Sequence, residues 1–457
     1  MWVQLQPPRG INELRALLQH ACRRADGVGA EKRPSGRADG ARHGFRPAAG
    51  RGLFRGGAEK DAQTTAGLTK PPGLHTLAGL ARSLLRSGGA RGGHPAHVNA
   101  RIAAARLHNQ RLAGRKGRGA ADVVAWLGAV QAQESGPSRW ALALRLRGAP
   151  GDAAIARAFD RGRILRTHVL RPTWHFVTPA DIRWMLALTA PRVHQRMAPY
   201  DRHLELDRPL LTRAAAVIER ALGEARVLTR QELRAALARA GIDARSQRLA
   251  HIVLYAELEQ IVCSGPRRGS QFTYALLADR APRARTLPRE EALATLARRY
   301  LRSHGPATVR DFVWWSGLTT ADARRAFEMN RARGESDGGL TYWSLPGSPD
   351  PGEAPLVQLL PIYDEYLIAY QDRVAVPHGP LVLRSMAGPA TFQHALVAGG
   401  QVAGTWRAAD GRGGVGVEIV PLRTLTRAER SALEAAVAAY ERFRGLAVTV
   451  RIRSRTR

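Results

Sequence analysis

Gln131 and Gln133 stand two residues apart in the run Val-Gln-Ala-Gln-Glu at 130–134. Two neutral amides offer donors and acceptors that can hold a water and orient a sugar without adding net charge. On a helix they would diverge by about 200°, so they share a face only where the helix has ended. By spacing alone the pair reads as helix-end capping. A second group lies in RTHVLRPTWHFV at 166–177. Trp174 and Phe176 fit the core face of a strand, and His175 alternates away from them. Arg171 and His175 are then candidates for contacting phosphate or a flipped base, with a hydrogen-bonded structural histidine as the alternative. His168 and His175 lack an acidic third ligand, so neither a metal nor a cofactor is expected. Arg267 and Arg268, in the turn Gly265-Pro266-Arg267-Arg268-Gly269, make a basic tip suited to DNA. Asp364 and Glu365, among Tyr363, Tyr366 and Tyr370, would supply a general base or hold a domain junction by hydrogen bonds. The run at 305–318 reads as architecture, with Phe312 and Trp315 packing inward. Gly411 to Gly416 fits Gly-x-Gly-x-x-Gly by letter but precedes a strand, so it reads as a turn.

The elements that must position these groups follow from caps and periodicity. Asn99 is expected to cap a first helix carrying Ile102, Ala105 and Leu107. Asp122 caps a helix over 123–130, a third helix covers 140–146, and Asp152 caps a fourth. Two short strands over 164–177, broken at Arg171-Pro172, complete a winged-helix order. Thr178-Pro179-Ala180-Asp181 restarts a helix. The pattern recurs: Thr229 opens a capping-box helix to Ala240, a helix over 246–261 takes the recognition position, and 263–277 forms a hairpin. A third copy has helices over 290–303, 308–316 and 320–329. Strands at 355–361, 381–385, 392–398, 401–407 and 416–421, a helix from Thr426 to Phe443 and a strand at 447–453 form a β-rich end. The expected fold is α+β: a disordered basic extension over 1–97, three tandem winged-helix units at 98–203, 204–283 and 284–352, and a C-terminal β-barrel-like domain at 353–457.

Seventy Lys+Arg against 38 Asp+Glu give a net charge of +32. Such a surface attracts polyanions by counterion release, so nucleic acid is the expected partner. Only four of the basic residues are lysines, which points to a high-GC coding bias, but that bias exchanges Lys for Arg without adding charge. Residues 1–97 hold 16 basic and 6 acidic residues, so +10 of the charge lies there and +22 in the remainder. Their Gly, Arg, Ala and Pro content shows no helical or strand period, and translation of the working protein is expected to begin near Val98. Cys22 and Cys263 form no Cys-x-x-Cys motif and suggest no disulfide framework. No apolar run approaches the length of a membrane span. A cytoplasmic, nucleoid-associated bacterial monomer is the expectation.

Six blocks occur in order: RLHNQRL at 106–112, LGAVQAQE at 127–134, ILRTHVLRPTWHFV at 164–177, GPATVRDFVWWSGL at 305–318, LLPIYDEYLIAYQDR at 359–373 and GTWR at 404–407. Together they resemble the AlkZ-like family of winged-helix DNA glycosylases over about residues 98–457. The resemblance implies three winged helices and a β-barrel wrapped as a C around a DNA channel. It implies excision of bulky N7-alkylated purines from duplex DNA, with unhooking of interstrand crosslinks by some members, and no cofactor. The family's Gln-x-Gln or Gln-x-Asp motif carries catalysis and matches Gln131 and Gln133, which reverses the capping interpretation. A non-enzymatic DNA-binding protein on the same scaffold is the alternative.

Overall fold

The structure, a computed structural model, describes residues 95–348, 357–376 and 393–453. The extension up to residue 94, with a helix expected at 11–24, and the strand expected at 381–385 lie outside the described residues.

One order of elements recurs three times. Helix α1 (Pro95–Asn109) leads into the first repeat: α2 (Ala120–Leu127), β1 (Val130–Gln131), α3 (Ser135–Ala143), α4 (Asp152–Asp160), β2 (Leu165–Val169) and β3 (Arg171–Val177). The long helix α5 (Ile182–His203) separates it from the second: α6 (Arg208–Ala225), β4 (Val227–Thr229), α7 (Arg230–Arg239), α8 (Arg248–Leu258), β5 (Val262–Ser264) and β6 (Thr273–Leu276). In both, the first strand pairs with the last, giving sheets ordered β1-β3-β2 and β4-β6-β5. After the single turn α9 (Leu277–Arg280), the third repeat has α10 (Arg289–His304), α11 (Val309–Ser316), α12 (Thr320–Met329) and the hairpin of β7 (Arg333–Asp337) with β8 (Leu340–Ser344). Its first strand is reduced to one bridge, Ala307 to Trp343.

The C-terminal part holds β9 (Val357–Leu360), the turn α13 (Glu365–Ile368), β10 (His394–Ala398), β11 (Gln401–Gly411), β12 (Gly414–Pro421), α14 (Arg427–Arg444) and β13 (Val448–Ile452). Its five strands run β13-β12-β11-β10-β9. Among the described residues this sheet is open, so the expected barrel closure is not seen. The Gly411 to Gly414 pairing closes the β11–β12 hairpin, so the glycine-rich run is a turn.

The capping box expected at Thr229 forms, and Thr308 and Thr426 build the same reciprocal device. Thr229, Thr308 and Thr426 each accept from the backbone of Glu232, Asp311 and Glu429, whose carboxylates answer to the cap. Other cap expectations fail. Asn99 lies inside α1, so the boundary placed at 97/98 falls within a helix. Gly119 occupies the cap position of α2 and leaves Asp122 in the first turn, where it accepts from Arg118 N and Arg111. Helix α5 starts at Ile182, not after Thr178, because the Thr178 hydroxyl and the Arg285 and Arg299 guanidinia all converge on Asp181.

Three cores organise the molecule. The first repeat shares one with the C-terminal sheet, where Trp140 and Phe176 pack with Leu359, Trp406 and Phe443. Trp140 Nε1 donates to Leu359 O at 2.8 Å, and its ring meets Tyr440 edge-on. The second repeat has its own core around Leu222, Leu237 and Ile252. The third packs Phe312, Trp315 and Phe327 against Trp184 and Met185 of α5 and Val169 and Leu170 of the first hairpin.

Candidate active site

β1 is two residues long, and its register decides what the glutamines do. Val130 pairs with Phe176 and Gln131 with His175, and Ala132 N continues the ladder to Trp174 O at 2.7 Å. The chain through 130–132 is therefore extended. Val130 and Ala132 lie in the core, so alternation turns Gln131 to the opposite face, and Gln133 follows in the bend just beyond the strand. Both amides lie past the end of α2 at Leu127.

Each amide oxygen is taken by a group that can only donate. Arg171 Nη2 donates to Gln131 Oε1 at 3.2 Å, and Trp174 N donates to Gln133 Oε1 at 3.4 Å. The partners thus fix which end of each amide faces them. The Nε2 groups are left as the free ends, and each oxygen keeps a second lone pair. Behind Gln131, its backbone N–H donates to Glu365 Oε1 at 2.7 Å.

Glu365 is fully buried. Its other oxygen accepts from Trp315 Nε1 at 3.1 Å, and His304 Nε2 lies 3.6 Å away. Burial alone would raise its pKa, but the imidazole of His304 beside it, with His175 and Gln131 N, holds the carboxyl below the usual range. Asp364 plays another part. It is fully buried, takes Arg145 in a bidentate pair at 2.7 and 2.8 Å, and caps α13 through Tyr366 N. The pair of acids is thus split: Asp364 is a junction, and Glu365 supports the backbone of Gln131.

Of the four residues expected to meet DNA, one touches the glutamines. Arg171 joins Gln131 to Trp314 O, and burial, with the charge of Arg196, draws its guanidinium down to about 10. His175 is fully buried, and its Nδ1 lies 2.9 Å from Thr173 O. Burial and the Arg171 charge push it down to about 3, so it is neutral across the physiological range. Arg267 makes a bidentate pair with Asp160 of α4, and Arg268 pairs with Glu232 of α7. The tip at 265–269 is tied to neighbouring acids that its local sequence does not reveal.

Sequence reasoning missed Arg166. Its Nε donates to Ala132 O at 2.9 Å, and its guanidinium lies 4.1 Å over the Trp174 ring and 4.9 Å from Phe272. The signal is the β2–β3 register, Arg166 opposite Phe176, which places it on the Trp174 face. Trp315 was read as packing only, and its Nε1 contact to Glu365 needs the fold to be seen.

The sequence model of the family described as DNA glycosylase AlkZ-like matches residues 124–443. The chain is 29% identical over 235 residues to the interstrand DNA cross-link repair glycosylase of Streptomyces sahachiroi, covering 47% of this chain. That match spans 59% of the relative's own length. The solved structure of Streptomyces sahachiroi DNA glycosylase AlkZ superposes with a TM-score of 0.63 at 22% identity, covering 78% of this chain and 99% of that one. The fold of that structure and the match of the family model across residues 124–443 agree, and the chain belongs to the DNA glycosylase AlkZ-like family.

Proposed function

We propose that this protein is a monofunctional DNA glycosylase that hydrolyses the N-glycosidic bond of N7-alkylated purines in duplex DNA. The three repeats are then winged helices, the first two with a first strand paired to the last strand of the hairpin and the third with a single bridge in its place, a scaffold suited to DNA. The relative named for interstrand cross-link repair extends the reading to purines joined across the two strands.

The observation that carries it is the pair of anchored amides at the end of the short strand β1, Gln131 held by Arg171 and Gln133 by Trp174 N. N7 alkylation leaves a positive charge on the purine, so the base departs with the bonding electron pair as a neutral molecule. No acid is needed to protonate it. What remains is to stabilise an oxocarbenium-like sugar and place a water at C1′. Gln133 accepts from that water through its second lone pair, and the water's proton passes to solvent as the C1′–O bond forms. Gln131, held by Arg171 and Glu365, orients the sugar or the second amide. The Glu365 carboxylate, one hydrogen bond behind Gln131, favours developing positive charge in a buried surrounding. Arg267 serves to fix the second repeat against the first through Asp160, Arg268 braces the tip within the second repeat through Glu232, and phosphate contact near the site falls to Arg171.

The test is base release from DNA containing N7-methylguanine or a bulkier N7 adduct. Gln131→Ala and Gln133→Ala should each lower the single-turnover rate about 10²-fold while DNA binding persists. A protein that binds DNA, frees no base from any adduct and is indifferent to both substitutions is the non-enzymatic DNA-binding alternative.

A further inference from the structure

Between α1 and α2 the chain forms a basic recess that shares no residue with the Gln131 site. Lys116 fastens the loop, its ammonium donating to Arg111 O, Leu112 O and Leu144 O at 3.0, 2.7 and 2.8 Å. Gly117 N donates to Arg145 O and Arg147 N to Gly117 O, which ties the loop to the end of α3. The recess so held has a volume of about 270 Å³ and is lined by Arg111, Arg115, Lys116, Arg118, Arg147 and Asp122. Five cations against one carboxylate leave an excess of four. That carboxylate is already engaged by Arg111 Nη1 and Arg118 N. The guanidinia of Arg115, Arg118 and Arg147 donate to no hydrogen-bonding partner among the described residues.

The positive field continues beyond the rim. The Trp126 ring carries two guanidinia, Arg111 at 4.3 Å and Arg302 at 4.2 Å from its centre. Arg302 is lowered by burial and then by Arg299, Arg111 and Arg298. Lys116 is drawn down to about 8 by burial and by Arg145. A fastened loop that gathers cations without countercharge is costly to the folded state unless an anion offsets it. Forked guanidinia match a phosphate in geometry as well as charge.

We infer that this recess is a second DNA contact, gripping a backbone phosphodiester through Arg115, Arg118 and Arg147. This rests on the DNA reading above, and its work is to hold register on the duplex and not to touch the reacting sugar. Free inorganic phosphate shares the chemistry, so the experiment separates the two sources. Binding of undamaged duplex to the full-length protein is measured from 50 to 300 mM salt, for the parent and for Arg115→Gln/Arg118→Gln/Arg147→Gln. The expected result is an affinity loss of about tenfold or more at low salt. The slope of log K against log salt should fall by about 0.9 for each phosphate released. Base release at saturating DNA should be unchanged, and the melting temperature should not fall, because the three side chains are exposed and their mutual repulsion is relieved. An unchanged slope and affinity in the triple variant overturns the assignment and leaves the glycosylase reading standing. Thermal stabilisation of the parent alone by inorganic phosphate, with no change in DNA slope, also overturns it in favour of a free-anion site. A parent that binds with a steep, recess-dependent slope but frees no base sinks the glycosylase reading instead.

Discussion

Gln131 is held at both ends and Gln133 at one. The first has Arg171 on its side chain and Glu365 on its backbone, and the second has only Trp174 N at 3.4 Å. Neither amide titrates, and their neighbours do not change charge near neutrality. His175 is pushed down to about 3, Arg171 lies at about 10 and Glu365 is held low. Single-turnover base release should therefore be flat from pH 6 to 9. A limb rising with unit slope in that range would show a titrating base and overturn the neutral-amide mechanism. Gln133→Asp should stay active and gain such a limb at lower pH, near the carboxylate range. The buried pair behind the site makes a separate claim. Asp364→Asn leaves Arg145 charged and without its partner, so unfolding free energy should drop by about 3–5 kcal/mol in a denaturant titration. Asp364 and Glu365 are adjacent in sequence and look alike there. Only the neighbours brought by the fold, Arg145 for one and Trp315 with Gln131 N for the other, give them different work. The glutamine pair was likewise legible through the family blocks and not through spacing, because the strand that orients Gln131 forms by pairing with β3, more than forty residues away (Gln131 to His175).

At the scale of elements, local signals were readable where both halves of the device lie within four residues. Thr229 with Glu232, Thr308 with Asp311 and Thr426 with Glu429 all cap as their sequence implies. Helix starts that depend on distant partners were not. Asp181 takes the position given to Thr178 because arginines from residues 285 and 299 reach it. The same reason explains Arg267, whose acid lies 107 residues earlier in the chain. The joint between the third repeat and the first hairpin is equally non-local. Gly317 ends α11 at φ +73°, and a Cβ there would sit 2.2 Å from Leu170 O. Leu170 itself has φ +65° at the β2–β3 corner, so neither side has an easy way to give. Gly317→Ala should cost well over the roughly 1 kcal/mol of a left-handed alanine, about 3 kcal/mol in urea unfolding. Gly241→Ala is the control, since its φ is +69° but nothing lies within 4 Å of the added carbon, and it should show the backbone penalty alone. Equal costs at the two sites would mean that the hairpin corner yields freely.

Over the whole molecule two electrostatic loads act together, and pH separates them. The net charge of +32 repels itself mainly at the surface, whereas His175 and His304 are buried and His394 half-buried, each with its charged form disfavoured. His175 is pushed down to about 3 and His394 to about 4, in both cases chiefly by burial, and His304 is lowered as well. A depressed histidine disfavours its charged form only in the folded state. The unfolded chain begins to bind the proton near pH 6.5, so the stability is full above that value and is lost as pH falls toward the folded pKa. From pH 7 to 5 the loss is about 2 kcal/mol for each strongly depressed ring. Carboxylates held low, such as Asp181, add their loss only below about pH 4. The unfolding midpoint should thus drop between pH 7 and 5, before the carboxylates titrate. His394 accepts from Ile362 N through Nδ1 at 3.0 Å, so His394→Asn can keep an acceptor while removing the titration, and its pH dependence should be shallower than the parent's. Surface repulsion also grows on acidification, but salt screens it over about 8–10 Å at 0.1–0.15 M and does not reach buried rings. Repeating the series with added salt should leave the parent–variant difference intact. If salt abolishes the acid sensitivity, surface charge and not the buried histidines governs it.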